Sequence, residues 1–347
     1  MNSTSTAVPL VLRYTAFPAP AASADEARYV GGNPAGVVLD AAGLSDAAMQ
    51  RIAADIGYSE TAFVTETTTD IATTTTDEPA TATATATAKA KATATATATA
   101  KAKATATATA DATAETRRSI RYFSPGAEVP FCGHATIATA IALAERTGTG
   151  RFTFDTPIGA VVIQTSTEAG HIVAAFTSVV PEVKALDPAV RTALLALLGL
   201  AESDLDERFP LLAAYAGNWH PLVFVRDLAT FDALTFDPVD ARRMMDAEGW
   251  AGTISVLHAP AEFNAGLNSQ HEFEARNVFP VGTITEDPAT GSAAASLGGY
   301  LRETGLLATP ARVLIHQGRH VGRPSLLTVD IPAAGGIVVS GTAVPIV

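Results

Sequence analysis

The sequence predicts an α+β fold of two lobes, each a curled sheet around one buried helix. Many short strands with turn signals alternate with few helices over the 347 residues. Residues 132–148 and 290–305 both predict helices that are apolar on every face, which is typical of helices buried all round. Similar phrases precede them, "RYFSPGAEVPFCGHA" and "RNVFPVGTITEDPATGSA". This repetition indicates an internal duplication with one central helix per lobe.

The first lobe is expected to span residues 1–180. "SDAAMQRIAADIG" predicts a helix with Ser45 as its N-cap and Gly57 as its stop. We expect strands 59–64 and 119–125 to pair with each other. Periodicity and turn residues predict the other strands of this lobe at 10–17, 35–40, 151–156, 159–166 and 171–178.

Residues 66–116 are mostly Thr and Ala and interrupt this lobe. Strict Thr/Ala alternation has the period of a strand, but Ala buries too little surface to offset the entropy lost on ordering. No aromatic or large aliphatic residue occurs between Ile71 and Ile120. We therefore predict a disordered, low-complexity insertion.

The second lobe is expected to span residues 181–347, and its final strand is free to return to the first lobe. Asp187 and Pro188 predict the start of a helix that runs through Leu200. Strands are predicted at 221–227, 253–259, 271–279 and 312–318.

Composition excludes several classes of protein. The net charge is −12 and no basic block of five residues occurs, which disfavours nucleic acid as a partner. The single Cys132 excludes an internal disulfide and is typical of a reducing compartment. The start lacks the features of a secretory signal, and no run of 18 apolar residues predicts a membrane span. We expect a cytoplasmic protein that does not bind membranes.

The starts of the two buried helices predict a ligand site. A buried helix N-terminus carries unpaired N–H groups and about half a positive charge. Two such ends that face each other across a lobe interface would form a cleft for a carboxylate. The alternative is that Gly133 and Gly291 only permit tight turns.

Six phrases of the chain resemble the PhzF-like family, the phenazine-biosynthesis type of isomerase, which is related in fold to diaminopimelate epimerase. They cover nearly the whole chain outside the Thr/Ala insertion and read "GNPAGVV", "SETAFV", "RYFSP", "CGHAT", "EDPATGSA" and "HQGRHVGRPS". The resemblance implies two lobes related by a pseudo-two-fold axis, each a β-barrel-like sheet around a central helix. It also implies an active site at the lobe interface, no metal or organic cofactor, and commonly a homodimer.

The same resemblance assigns roles to residues. Glu60 of "SET" matches the family's general acid/base, and His134 and Asp287 match its supporting polar residues. The helix starts that face the substrate match Gly133, Thr290, Gly291 and Ser292. The chain departs from the family in its long insertion between Glu60 and His134, and in His316, which stands where an acid is frequent.

The chemistry of these residues is consistent with those roles, although each has a plainer interpretation. A carboxyl group of Glu60 held against the apolar run 62–64 would have a raised pKa and could accept and return a proton. The alternative is an ordinary strand-edge Glu. His134 in a helix-end field is expected to stay neutral and donate a hydrogen bond, or else to be a packed core residue. Asp287 could cap the second helix, position a substrate group, or do both.

Cys132 and Thr290 limit the mechanism. Diaminopimelate-type epimerases use one thiol per lobe; Cys132 occupies the first such position, and Thr290 occupies the second. A two-thiol mechanism is therefore excluded, and a one-base reaction at Glu60 is preferred. No histidine shows the local spacing of a metal motif, so no metal is expected.

Three hypotheses of function remain open. The first is a cofactor-independent isomerase that shifts a proton within a small carboxylate, such as an amino or hydroxy acid. The second is a racemase or epimerase on the same scaffold, with Asp287 or Cys132 as the second base. The third is a non-catalytic protein whose cleft binds a metabolite.

Overall fold

The computed structural model describes residues 9–21, 29–69, 116–263, 271–281 and 284–346. Within these ranges lie six α-helices, two 3-10 turns (Glu202–Asp204 and Arg319–Val321) and nineteen strands. The helices are α1 (Asp46–Ile56), α2 (Gly133–Thr147), α3 (Pro188–Leu197), α4 (Leu228–Ala233), α5 (Pro238–Glu248) and α6 (Gly291–Glu303). The strands of the amino-terminal half are β1 (Leu12–Ala16), β2 (Ala19–Pro20), β3 (Tyr29–Val30), β4 (Asn33–Val38), β5 (Glu60–Thr69), β6 (Thr116–Phe123), β7 (Glu128–Val129), β8 (Arg151–Thr156), β9 (Gly159–Glu168) and β10 (His171–Thr177). Those that follow are β11 (Glu182–Ala185), β12 (Leu212–Tyr215), β13 (Trp219–Phe224), β14 (Ile254–His258), β15 (His271–Val281), β16 (Ile284–Asp287), β17 (Ala311–Gln317), β18 (Ser325–Ile331) and β19 (Val338–Pro345).

The order of connections occurs twice along the chain. Strand β4 is parallel to β5 with α1 between them, and β13 is parallel to β14 with α4 and α5 between them. Strands β6 and β8 are parallel across α2, just as β15 and β17 are parallel across α6. The halves are therefore pseudo-symmetric, each a curved sheet around one helix, as the sequence predicts.

Both central helices are buried. In α2 every residue from His134 to Ala144 is buried, and in α6 Gly291 and the residues from Ala293 to Leu301 are buried. Small side chains allow this because they let the surrounding strands approach closely. Helix α2 packs against β1, β4, β10 and β19, while α6 packs against β11, β12 and β18.

The last strand contacts both halves. Strand β19 pairs with β18 of the second half and with β1 and β10 of the first. The carboxyl-terminal strand thus joins the two sheets into one hydrogen-bonded system.

Helix ends agree with the sequence where capping residues mark them. Ser45 accepts a hydrogen bond from the Ala48 amide at 3.3 Å, and Gly57 ends α1 with a φ of 70°. The predicted extension of α3 to Leu200 is wrong, because the helix ends at Leu197 and Gly199 has a φ of 65°.

Helices α4 and α5 were not predicted. Helix α5 carries clear signals, since Asp237 accepts hydrogen bonds from Val239 and Asp240, Pro238 is the first helical residue, and Gly249 ends the helix. Its polar sequence gives a weak apolar periodicity, which explains why the pattern alone did not indicate it.

The predicted disorder of 66–116 is wrong at both ends. Strand β5 continues to Thr69 and β6 begins at Thr116, with Thr69 paired to Thr116. β-Branched Thr favours a strand once a partner is present. The rest of the predicted insertion, residues 70–115, lies outside the described residues.

No helix in the described ranges is long and apolar enough to cross a membrane.

Candidate active site

Asn33 links the starts of the two central helices. This buried residue begins β4, and its side-chain amide donates to Asp287 Oδ1 at 2.7 Å and contacts His134 Nδ1 at 3.2 Å. The same amide nitrogen lies 3.3 Å from the Ala289 carbonyl oxygen. His134 is in the first turn of α2, and Asp287 and Ala289 precede α6. The amino ends of both helices therefore meet at one place.

Glu60 lies beside this meeting point as the first residue of β5. Its Oε2 is 3.4 Å from His134 Nε2 and 3.5 Å from Cys132 Sγ, and its side chain is 16% exposed. Burial raises the pKa of Glu60, while hydrogen bonds from Ser59 and Cys132 oppose that rise. Glu60 is thus an enclosed carboxyl group with partial access to solvent, which differs from an ordinary strand-edge Glu.

His134 is held in a neutral environment. Its Nε2 lies 3.3 Å from Ser59 Oγ, and the ring is buried. Burial lowers the pKa of His134, opposed by the charge of Asp287 and by a hydrogen bond to the Pro34 carbonyl. The main cause is loss of solvent rather than the helix dipole that the sequence suggested.

Asp287 is buried among neutral donors. Its Oδ2 accepts from Thr290 Oγ1 at 2.6 Å, and burial raises its pKa to about 6. The side-chain oxygen of Gln317 accepts from the Thr290 amide at 3.2 Å, and the Gln317 amide donates to the Asp287 carbonyl at 2.6 Å. Thr290 is the N-cap residue of α6. In this structure the Asp287 side chain therefore bonds to the N-cap residue rather than serving as the cap itself.

The neighbouring acid, Glu286, points elsewhere. Its carboxylate forms a buried ion pair with Arg276, with an Oε1–Nη2 distance of 2.6 Å. Successive side chains of β16 face opposite sides of the strand, so Glu286 points toward Arg276 and Asp287 points toward Asn33 and Thr290.

Turn geometry does not explain the glycines at the two helix starts. Neither Gly133 nor Gly291 has a positive φ. A Cβ on Gly133 would meet nothing closer than Phe131 at 3.9 Å, whereas a Cβ on Gly291 would lie 2.9 Å from the Phe176 ring. Gly291 is thus required by packing. Gly133 leaves open space beside its backbone, as a substrate-facing helix start would.

Ser292, the second residue of α6, has a partner that the sequence analysis missed. Its Oγ lies 3.0 Å from Nε2 of the buried His220. His220 Nδ1 lies 3.0 Å from the Thr253 amide nitrogen and 3.1 Å from the Thr253 carbonyl oxygen, so the backbone of Thr253 holds the ring in place. Burial lowers the pKa of His220 to about 4, which keeps the ring neutral.

The His220–Ser292 pair repeats the Asn33–His134 pair. Asn33 and His220 each precede a proline at the start of the equivalent strands β4 and β13. Each contacts the second residue of a central helix, His134 or Ser292. The "NP" and "HP" dipeptides at the start of the two strands are the signal that could have identified both residues.

The structure therefore gathers most of the predicted site. Glu60 contacts His134, Asn33 joins His134 to Asp287, and Asp287 bonds to Thr290. The first turns of the two helices supply Gly133, Gly291 and Ser292. His316 does not belong to the cluster, since its Nε2 pairs with Glu272 at 3.2 Å.

The sequence analysis considered only residues close together in the chain, so it also missed a set of possible metal ligands. Donor atoms of Glu60, Cys132 and His134 all lie within 4.8 Å of one another. Glu60 is far from the other two in sequence, so a search for short motifs could not find the set.

The duplicated fold, with a buried cluster of polar residues at the starts of both central helices, is of the diaminopimelate epimerase-like class. A family model described as "Phenazine biosynthesis-like protein" matches residues 23–77 and 96–347. The chain therefore belongs to this PhzC-PhzF family. It is an isomerase, as its named relatives are.

Two relatives illustrate the range of the family. The chain is 26% identical to the uncharacterized isomerase YfhB of Bacillus subtilis, over 90% of this chain and 91% of the relative. It is 31% identical to the trans-2,3-dihydro-3-hydroxyanthranilate isomerase of Pseudomonas chlororaphis, over 60% of this chain and 68% of the relative.

Solved structures share the fold. A PhzF-family protein of Bacillus anthracis superposes with a TM-score of 0.66 at 23% identity, covering 97% of this chain and 98% of the other. A PhzF-family protein of Enterococcus faecalis gives a TM-score of 0.58 at 21% identity, with the same coverage.

Proposed function

We propose that this isomerase shifts a proton between two carbons of a small carboxylate-bearing metabolite, without a cofactor, and that Glu60 carries the proton. The observation that carries the proposal is the enclosed Glu60 carboxyl, whose pKa is raised by burial, beside His134 and the two helix starts. A carboxyl group in such surroundings can both accept and return a proton near neutral pH.

The proton balance of the step involves no other reactant. Glu60 breaks a C–H bond of the substrate and takes the proton, and the electron pair moves into the conjugated system. The double bond shifts, and the same carboxyl group returns the proton to a second carbon on the same face. We assign stabilisation of the negative charge that develops to hydrogen-bond donors, of which the neutral His134 ring is the first candidate, and we assign Asp287 a supporting role beside it.

The substrate's own carboxylate is assigned to the helix starts. Backbone N–H groups at the start of α2 beside Gly133, with Thr290, Gly291 and Ser292 at the start of α6, suit an anion. The relative from Pseudomonas chlororaphis is named for trans-2,3-dihydro-3-hydroxyanthranilate, an amino acid whose ring is partly hydrogenated and keeps a conjugated diene. That compound is the first candidate substrate, followed by other unsaturated amino and hydroxy acids.

Deuterium incorporation tests the role of Glu60. The partly exposed Glu60 carboxyl group exchanges its proton with solvent while substrate turns over. In deuterium oxide the wild type should therefore introduce label at the carbon that receives the proton, which NMR or mass spectrometry detects. Glu60→Gln cannot accept a proton and should lower the rate by about 100-fold or more. Glu66→Gln, on the same strand and exposed, is the matched control and should retain the wild-type rate. Labelling by Glu60→Gln at the wild-type rate would show that another group is the base.

One contact favours a second candidate, an epimerase on the same scaffold. Cys132 Sγ lies 3.5 Å from Glu60 Oε2 and 3.3 Å from His134 Nδ1, so a second group that can bind a proton lies within the site. Inversion at a single carbon, detected by chiral chromatography and lost in Cys132→Ser, would favour this reaction over isomerisation.

The homodimer implied by the family resemblance remains a prediction, which light scattering of the purified protein tests.

A further inference from the structure

The His220 ring is fixed from three sides. It is completely buried, and its Nε2 lies 3.0 Å from the Oγ of Ser292, the second residue of α6. Its Nδ1 lies 3.0 Å from the amide nitrogen and 3.1 Å from the carbonyl oxygen of Thr253. A Cβ on Gly252 would lie 2.5 Å from Cε1 of the ring, so Gly252 and the ring pack directly against each other. These contacts hold Nε2 toward Ser292.

Thr253 is itself held by buried polar groups. Its hydroxyl oxygen lies 3.0 Å from His220 Nδ1, and the hydroxyl donates to Asn277 Oδ1 at 2.8 Å. Ser255 donates to the same oxygen at 2.6 Å. Asn277, Ser255, Thr253 and His220 are all buried, whereas Ser292 is half-buried. A chain of polar contacts therefore runs from β15 through the core and ends at Ser292, and such a network fixes the groups that it joins.

The equivalent strand position contacts a site residue in the other half. Asn33 and His220 each precede a proline at the start of β4 and β13. The Asn33 amide nitrogen lies 3.2 Å from Nδ1 of His134, the second residue of α2. Two different side chains thus make the same kind of contact with the second residue of a central helix. This recurrence indicates that the strand position orients a residue of the candidate site in each half.

We propose that His220 is a positioning residue for substrate binding, which holds the Ser292 hydroxyl group so that its hydrogen points at the substrate carboxylate. The inference rests on the proposed function, which assigns that carboxylate to the helix starts. His220 is buried and acts through Ser292 rather than by contact with the substrate.

The proposal specifies the tautomer of His220 in the complex. A carboxylate only accepts hydrogen bonds, so Ser292 donates its hydrogen to the substrate and accepts one from His220 Nε2. The Nδ1 atom of the neutral ring then accepts from the Thr253 amide. Without a ligand the contacts of Nδ1 permit either tautomer, because Thr253 offers both a donor and an acceptor. Binding of a carboxylate therefore favours the form with hydrogen on Nε2.

Two substitutions of His220 separate positioning from a purely structural role. The probe is anthranilate, an aromatic amino carboxylate whose binding is measured by calorimetry. The side-chain amide of His220→Asn matches the Nδ1 position and keeps the contact with Thr253, whereas that of His220→Gln matches the Nε2 position and keeps the contact with Ser292. We expect the Asn variant to bind anthranilate about 10-fold more weakly than the wild type, as loss of a well-directed hydrogen bond to a charged group does. The Gln variant should restore most of the affinity.

Further variants check that the effect passes through Ser292. In a Ser292→Ala background, His220→Asn should cause no further loss of affinity, which a double-mutant cycle measures. Gly252→Ala should weaken binding although His220 is intact, because the added methyl group displaces the ring. His316→Gln, outside the cluster, is the matched control and should bind anthranilate as the wild type does. Circular dichroism checks that each variant is folded.

The wild type alone supplies an independent test. In ¹⁵N NMR spectra of the protein saturated with anthranilate, we expect the His220 ring to carry its hydrogen on Nε2. Hydrogen on Nδ1 in that complex would overturn the proposal, since Ser292 would then donate to the ring and not to the carboxylate. A wild type that does not bind anthranilate, or an Asn variant that binds it more tightly than the Gln variant, would overturn it as well. Anthranilate binding involves no proton transfer, so the isotope test of Glu60→Gln succeeds or fails separately.

Discussion

At the scale of single residues, two adjacent acids show how surroundings decide chemistry. Glu286 is buried against the guanidinium of Arg276, which also donates to the carbonyls of Phe231 and Leu234. Asp287 is buried against neutral donors, the Asn33 amide and the Thr290 hydroxyl. The first acid stabilises the fold as an ion pair. Desolvation disfavours the ionised form of the second acid and raises its pKa, so that it can bind a proton within the candidate site.

The raised pKa of Asp287 predicts a pH dependence of stability. Its pKa rises from 3.8 to about 6 on folding, so between about pH 4 and 6 the folded state binds more protons than the unfolded state. The contribution of the protonated Asp287 to the free energy of unfolding is fully present below about pH 4. It is lost as the pH rises through about 6. A shift of about two units corresponds to about 3 kcal/mol at most. Asp287→Asn should remove most of this slope, as measured by urea unfolding at a series of pH values.

An acid with the opposite shift is the control for that experiment. The Arg117 guanidinium lowers the pKa of the exposed Asp155, so its contribution is present at neutral pH and is lost as the pH falls. Asp155→Asn should therefore change the profile in the opposite sense and by a smaller amount, because both partners are exposed. An Asp287→Asn variant with the wild-type slope would contradict the assigned pKa.

Residues of the site differed in how far the sequence could predict them. Glu60, His134 and Asp287 were found through phrases that resemble a family, and the structure places them together. Asn33 and His220 were missed because their partners lie 101 and 72 positions away along the chain. A contact between such distant residues leaves no local pattern. Only the repeated dipeptides ahead of β4 and β13 indicate it.

At the scale of elements, helices were predictable when burial or capping marked them. The two central helices could be identified because they are apolar all round, and α1 because Ser45 and Gly57 delimit it. Helix α5 has equally good caps but a polar body, and the short strands β11 and β12 carry no alternation long enough to detect. Their places depend on pairing with partners distant in sequence.

The β5–β6 pair predicts how the chain tolerates loss of its Thr/Ala segment. Residues 70–115 connect Thr69 to Thr116, which are paired in an antiparallel ladder, so an Asn-Gly turn can join them directly. Shortening the connection lowers the entropy cost of closing the loop by about 3 kcal/mol. We expect the free energy of unfolding of the deletion variant, measured in urea, to equal or exceed that of the wild type. The matched control replaces residues 70–115 with a Gly/Ser linker of the same length. A deletion variant less stable than the wild type would contradict the prediction, and a wild type more stable than the Gly/Ser control would show that the segment itself stabilises the fold.

At the scale of the whole molecule, three features hold the halves together. Strand β19 pairs with strands of both halves. Asn33 of the first half bonds to Asp287 of the second. The Arg323 guanidinium donates to the Gly32 carbonyl at 2.6 Å and to the Gly31 carbonyl at 3.1 Å. Since Asn33 and Asp287 both belong to the candidate site, assembly of that cluster requires that both halves be folded.

This interlocking predicts that the two halves unfold together. Both tryptophans of the chain, Trp219 and Trp250, lie in the second half, so their fluorescence reports that half while far-ultraviolet circular dichroism reports the whole chain. We expect the two probes to give the same urea midpoint, and the calorimetric enthalpy to equal the van't Hoff enthalpy. Removing residues 338–346, and with them β19, takes partners from both halves and should lower the midpoints of both probes equally. Separate midpoints in the full-length chain would contradict the coupling, because the second half would then unfold without opening the ladder that β19 shares with β1 and β10.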